Sequence, residues 1–313
     1  MSSKLGALGV LALVQLVIIA YLWFADTTSA NGTPLFATDM TEVSAVDIRG
    51  GETGVSLTKA SDAWRVDQLP ADATKIEALL EKLAAAASES ASGRLWPVAT
   101  TADSAQRFEV TEADFQREIK LHPPGGDPAV LYTGTSPGFE RVHIRREDAP
   151  EIFAIRLSNF ELPTGVDEWL DKNLLAQAQA PDSVRLTASQ ADGAQTVHTL
   201  QKVAGSWLFD DGPADPAAAE AYVQRFLNLR VLGVATAEPS LVEVAILEVG
   251  VGADQFRYAI QKPAEGEGDY VFTTETFDAA FRVAAYVAEQ LLMTDANFTV
   301  DAVSDEQEDD GGG

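Results

Sequence analysis

The sequence predicts an α+β protein: an N-terminal transmembrane helix, then two duplicated units of mainly antiparallel sheet with helices on one face. Three observations carry that prediction. An uncharged apolar run occupies Leu5–Phe24. Hairpin-length connections join a series of strand-like runs, which implies antiparallel pairing. One arrangement of Trp, Pro-Ala-Asp and amphipathic helix is written twice in the 313 residues.

The apolar run reads LGALGVLALVQLVIIAYLWF, with Gln15 its one amide. A helix over residues 5–24 would span about 30 Å, the thickness of a hydrocarbon core. Tyr21 and Trp23 stand at its far end, where aromatic side chains favour the interface. Lys4 precedes the run and Asp26 follows it, so the positive-inside rule predicts a single-pass bacterial inner-membrane protein, N-terminus cytoplasmic and body periplasmic. The alternative is a cleaved signal peptide with Thr28-Ser29-Ala30 as the small-residue site, although the run exceeds the usual signal core of about 7–15 residues. Gly6 and Gly9 form GxxG rather than GxxxG, a weak helix-packing signal. Residues 26–40, rich in Thr, Ser, Asn, Gly and Pro, read as a linker.

The first unit is expected over 41–178. Val43–Arg49 and Val55–Lys59 are strands around a Gly50-Gly51 turn, and Trp64 marks a third short strand. Asp72 is the expected N-cap of a helix whose Ile76, Leu79, Leu80 and Leu83 share one face at the i, i+3, i+4, i+7 spacing. Strands follow at Gln116–Leu121, Ala129–Tyr132, Glu140–Arg145 and Ile152–Ile155, and a helix beginning near Asp167 closes the unit.

The second unit is expected over 179–298, with strands at Val184–Thr187 and Val197–Lys202. Trp207 then precedes Pro213-Ala214-Asp215 by the spacing that separates Trp64 from Pro70-Ala71-Asp72. Lys202 corresponds to Lys59, and Ala219, Tyr222, Val223 and Phe226 fall on the apolar helical positions. One offset carries all of these together, which marks an internal duplication. Val242–Glu248, Phe256–Gln261 and Tyr270–Thr273 read as strands. A final helix is expected from Thr276 to about Met293, with Phe277, Phe281, Ala284, Ala285 and Ala288 on its apolar face. Residues 299–313 form an acidic tail predicted to be disordered; its Asp305, Glu306, Glu308, Asp309 and Asp310 lack the Gly and Glu positions of an EF-hand loop.

Composition narrows the function. Lys and Arg number 22 against 48 Asp and Glu, a formal net charge of -26. Such a surface opposes nucleic-acid binding and suits either a strongly solvated body or one that docks a basic partner. Cysteine is absent, which removes disulfides, thiolate catalysis and Cys-ligated metal. His122, His143 and His198 lie in or beside predicted strands without metal-ligand spacing. Neither a GxSxG elbow nor a Walker A loop is present, and Pro123-Pro124-Gly125-Gly126 lacks the Lys of a phosphate loop. Trp64 and Trp207 could stack on a ligand, but their place between hairpin and helix favours packing. No catalytic, cofactor-binding or metal-ligating residue is assigned, and no enzyme activity or cofactor is expected.

The helix motif PAD-x(3)-I-x(2)-LL, followed by VATTADSAQRFEV, FERVHIRRE, EIFAI and GVDEWLDKNLL, resembles the bacterial domain-of-unknown-function family "forty-three-forty". The likeness is clearest over residues 43–175. It implies a single-span envelope protein encoded beside ABC-transporter genes of the gliding-motility type. The function implied is that of a non-catalytic, membrane-anchored periplasmic accessory subunit, for binding or scaffolding, in an ABC-type transport complex. Its expected partners are the permease and an auxiliary membrane subunit, with the membrane contacted through residues 5–24. A stand-alone envelope sensor or structural binding protein is the alternative reading, and an envelope hydrolase a further one.

Overall fold

The computed structural model describes Gln15 and residues 34–298, other than 37–38, 191–192, 237–239, 266 and 295–297. Within it the chain divides into two compact units, one through Trp169 and one from Leu170, ahead of the 178/179 junction read from the sequence.

Each unit is built on one large, wholly antiparallel sheet. In the first, β1 (Ala45–Gly50), β2 (Thr53–Ala60), β3 (Ala63–Val66) and β4 (Leu69–Pro70) lead into α1 (Ala73–Ala91) and α2 (Ala102–Arg107). Strands β5 (Arg117–His122), β6 (Ala129–Thr133), β7 (Val142–Arg146) and β8 (Ile152–Ile155) complete it. The spatial order is β4-β3-β2-β1-β5-β6-β7-β8, so the helices interrupt two meanders that meet at β1 and β5. Gly51, at φ 61°, turns the first hairpin, as a residue without a Cβ can. Register places Val46 opposite both Leu57 and Leu121, and Ile48 opposite both Val55 and Ile119. All six are buried and form the inner face. Onto it α1 lays Ile76, Leu79, Leu80 and Leu83, also buried; burying side chains of this size contributes about 1.5–3 kcal/mol each. Asp72 caps the helix by accepting from the Lys75 amide at 3.2 Å.

The second unit repeats the plan. Strands β9 (Ser183–Ser189), β10 (Gln195–Val203), β11 (Ser206–Phe209) and β12 (Gly212–Pro213) lead into α3 (Pro216–Leu227). There follow β13 (Gly233–Val234), β14 (Leu241–Val251), β15 (Asp254–Pro263), β16 (Tyr270–Thr274), β17 (Ala280–Val283) and α4 (Ala285–Glu289). The order β12-β11-β10-β9-β14-β15-β16-β17-β13 reproduces the first sheet and adds β13 at its outer edge. Asp215 caps α3 through the Ala217 and Ala218 amides, and Ala219, Tyr222, Val223 and Phe226 are buried. Each unit closes alike: the Asp72 amide donates to the Trp169 carbonyl at 2.8 Å, and the Asp215 amide to the Phe298 carbonyl at 3.1 Å. Both aromatic residues are buried.

Four sequence expectations need correction. The first is the transmembrane helix, and with it the single-pass inner-membrane placement with a periplasmic body. No helix of the described residues is long and apolar enough to cross a membrane. The longest, α1, has 19 residues and carries Lys75, Glu77, Glu81, Lys82 and Glu89 opposite its apolar face. The run at 5–24, the proposed cleavage site and the tail at 299–313 lie outside the described residues, Gln15 apart. Second, the helix expected from Asp167 is a set of turns, among them Val166 to Trp169 and Asp171 to Leu174. Third, residues 276–293 form β17 and the five-residue α4; Phe281 pairs with Phe272 on β16, so a strand contact overrides the helical spacing. Fourth, the helices of the first unit do not share a face. The short α2, too brief to show periodicity, packs Ala105 with Val110, Tyr132 and Ile152. Register puts Tyr132 and Ile152 on the face opposite Leu131 and Phe153.

Candidate binding groove

The first unit carries an open cavity of about 1050 Å³ beside the outer strand β8. Ala85, Ala86 and Glu89 of α1 form one wall, and Ala154 and Ile155 of β8 also line the cavity. Two turns frame it, each presenting one phenylalanine. Phe139 is 92% exposed and Phe160 96% exposed, although each ring is large enough to fill a core position.

Both turns are pinned from within. In the first, the Ser136 hydroxyl bridges the Gly138 and Arg141 carbonyls at 2.7 and 2.6 Å. Glu140 adopts φ 56°, a left-handed conformation that costs free energy for a residue with a Cβ. The chain enters this turn through Gly134, where a Cβ would run into the Phe108 and Glu109 backbone. In the second turn, Ser158 and Glu161 form a capping box: the Phe160 amide donates to the Ser158 hydroxyl, and the Ser158 amide to the Glu161 carboxylate. Asn159 is fastened to Thr133 and to the Gly134 carbonyl. Glu161 also pairs with Lys82 of α1. Exposing an aromatic ring on a braced turn gives binding surface at low ordering cost.

The groove's cations have partners within the unit. Arg141 donates to the Ala154 carbonyl at 2.8 Å, and Arg156 lies 4.0 Å from Glu140. The Glu89 carboxylate on the α1 wall has no side-chain partner among the described residues.

The residues singled out from the sequence lie elsewhere. His122 Nε2 is 2.7 Å from Asp47, His198 Nδ1 is 2.7 Å from Asp210, and His143 is buried. His143 Nδ1 meets the Thr135 hydroxyl at 2.9 Å and the ring stacks on Phe108. Desolvation, aided by the nearby Arg107 charge, holds its pKa below the ordinary histidine value. Trp64 and Trp207 are both buried and serve packing. Trp207 Nε1 donates to Glu220 at 2.9 Å, and Lys202 joins the same carboxylate at 2.8 Å. Those two hydrogen bonds, that of Lys202 the larger, lower the pKa of Glu220. Among the described residues, no group of three or more His, Asp or Glu side chains is placed to hold a metal ion. Sequence reasoning missed Phe139 and Phe160. The available signal was a Phe-Glu pair set among turn residues twice, in SPGFE and SNFE.

Residues 64–245 match the family described as Domain of unknown function (DUF4340), and the chain belongs to that family. The match begins at Trp64 and runs through both helices of the repeat into β14. Neither the curated proteins nor the solved structures give a match to this chain.

Proposed function

We propose that this protein is a non-catalytic binding subunit of an ABC-type transport complex, and that it engages its partner through the groove of the first unit. The observation that carries the binding role is the pair of nearly fully exposed phenylalanines on braced turns beside a large open cavity. Both rings line the same cavity, and exposed apolar surface gathered in one place marks a contact site. The tie to transport rests on the gene neighbourhood implied by the family resemblance.

The test is site-specific crosslinking in the native cell. A photoreactive phenylalanine analogue is placed at position 139 or 160, and adducts are identified by mass spectrometry. Adducts with the permease, its ATPase or the auxiliary subunit, absent when the analogue replaces exposed Thr58 on the other sheet face, support the proposal. Adducts confined to proteins unrelated to transport would move the reading to a stand-alone binding protein. No adduct from either position would remove the groove as the contact surface.

A further inference from the structure

Strand β8 forms the outer edge of the first sheet. On β7, His143 exchanges its backbone bonds with Gly134 and Thr135, away from β8. The alternation of an antiparallel ladder therefore turns the N–H and C=O groups of Ile152 and Ala154 toward the open side. Ile152 finds partners there in the chain itself: the Val98 amide donates to its carbonyl at 2.7 Å, and its own amide to the Ala99 carbonyl at 2.9 Å. The pairing then stops. Continued in step, it would set Pro97 against Ala154 and bring the Trp96 amide to the Ala154 carbonyl; with φ fixed at the proline, that bond is not made. The Ala154 carbonyl takes the Arg141 guanidinium instead.

The second unit shows the same edge completed. Its segment Arg230–Thr236, RVLGVAT, repeats Arg94–Thr100, RLWPVAT. Ala235 donates to Ala280, the counterpart of Ile152, at 2.8 Å. Gly233 stands where the first unit has Pro97; it pairs with Arg282, and the Leu232 amide donates to the Arg282 carbonyl at 2.7 Å. The helices differ in step: α1 has 19 residues and α3 has 12. The added length, about two turns, carries the Ala85, Ala86 and Glu89 wall of the groove.

We infer that the groove takes an extended peptide segment of a partner protein, added antiparallel to β8 at Ala154. It would carry apolar side chains at alternate positions and a Lys or Arg among them. This rests on the binding role proposed above and specifies its ligand. The second unit supplies the precedent for strand addition at this edge. Phe139 and Phe160 offer apolar contact, and the Glu89 carboxylate, without a side-chain partner among the described residues, favours with the net charge of -26 a basic segment.

The probe is a fluorescein-labelled hexapeptide with the sequence of residues 228–233, NLRVLG, titrated with the full chain by fluorescence anisotropy. Saturable binding is expected. It should weaken at least tenfold when the peptide is N-methylated at its second leucine, the counterpart of Leu232, and in the Phe139→Ser, Phe160→Ser double variant. Glu89→Gln should weaken it severalfold. Equal binding of the N-methylated peptide would overturn strand addition, and no binding up to millimolar chain would overturn the peptide ligand altogether. Either result leaves the crosslinking test of the binding role standing. Self-association in sedimentation, abolished by the double variant, would assign the groove to a second copy and also overturn the inference.

Discussion

The two units have one topology and differ in how they finish the sheet edge. In the second, a glycine-bearing segment zips onto β17; in the first, a proline at the matching position and a longer helix leave β8 partly bare. The same fold is thus closed in one copy and open in the other. The difference lies in connecting residues rather than in the core, where the helical positions and both tryptophans are buried in each copy. Duplication frees one copy to lose an edge contact that the other keeps.

The comparison can be broken first at the shared core. Trp64→Ala and Trp207→Ala should each destabilise their own unit by about 3–5 kcal/mol, the usual cost of truncating a buried aromatic. Hydrogen exchange followed separately in the two units would show the loss confined to the mutated one. Replacement by Phe should separate the copies, because only Trp207 donates to a carboxylate; Trp207→Phe should cost about 1 kcal/mol more than Trp64→Phe.

The next effect tests the turns. Gly134→Ala drives a Cβ into the Phe108 and Glu109 backbone, whereas at Gly250 it meets the side chains of Ser183 and Gln255, which can rotate away. About 3 kcal/mol is expected at Gly134 and about 1 kcal/mol at Gly250 by denaturant unfolding. Equal costs would mean that the first unit relaxes its turn freely and that Phe139 is not held in place.

Smaller in energy, and more telling for the groove, is Pro97→Gly. It gives the first unit the residue of the second and frees the backbone opposite Ala154, so that the Trp96 amide can reach the strand edge as Leu232 does in the second unit. Slower exchange across residues 152–156 and weaker binding of the hexapeptide are expected, since the chain would then fill its own edge. Unchanged exchange would show that the longer α1, rather than the proline, keeps the edge open.

The smallest effect is a pH dependence confined to the first unit. His143 has a folded pKa below its ordinary value of 6.5 because burial disfavours the charged ring. The unfolded chain therefore binds the proton more readily. The contribution of His143 is intact above about pH 6.5 and declines as pH falls from there toward the folded value. His143→Phe should flatten that part of the stability–pH curve, read by urea unfolding between pH 7 and 5.

Much of the fold was legible because its signals are local. Asp72 and Asp215 are caps that act within three residues, and the strands at Val55–Lys59 and Ile152–Ile155 alternate or run apolar over their full length. The errors arose where spacing fits two structures. Phe277, Phe281, Ala285 and Ala288 satisfy a helical stripe, yet β16 offers Phe281 a cross-strand partner. The groove was illegible for a further reason: its walls come from α1, β8 and two turns separated by dozens of residues.

The sequence by itself determined the duplication, the antiparallel character of both units and the Asp72 cap of the longest helix, since each follows from short-range patterning and chain stiffness. It also carried the family resemblance, on motifs that are themselves packing and turn signatures. Tertiary structure alone decided which phenylalanines stay in water and which edge remains unpaired. Burial depends on what other segments bring to the same place: Phe281 and Phe139 are alike in chemistry, but only Phe281 meets a sheet that covers it.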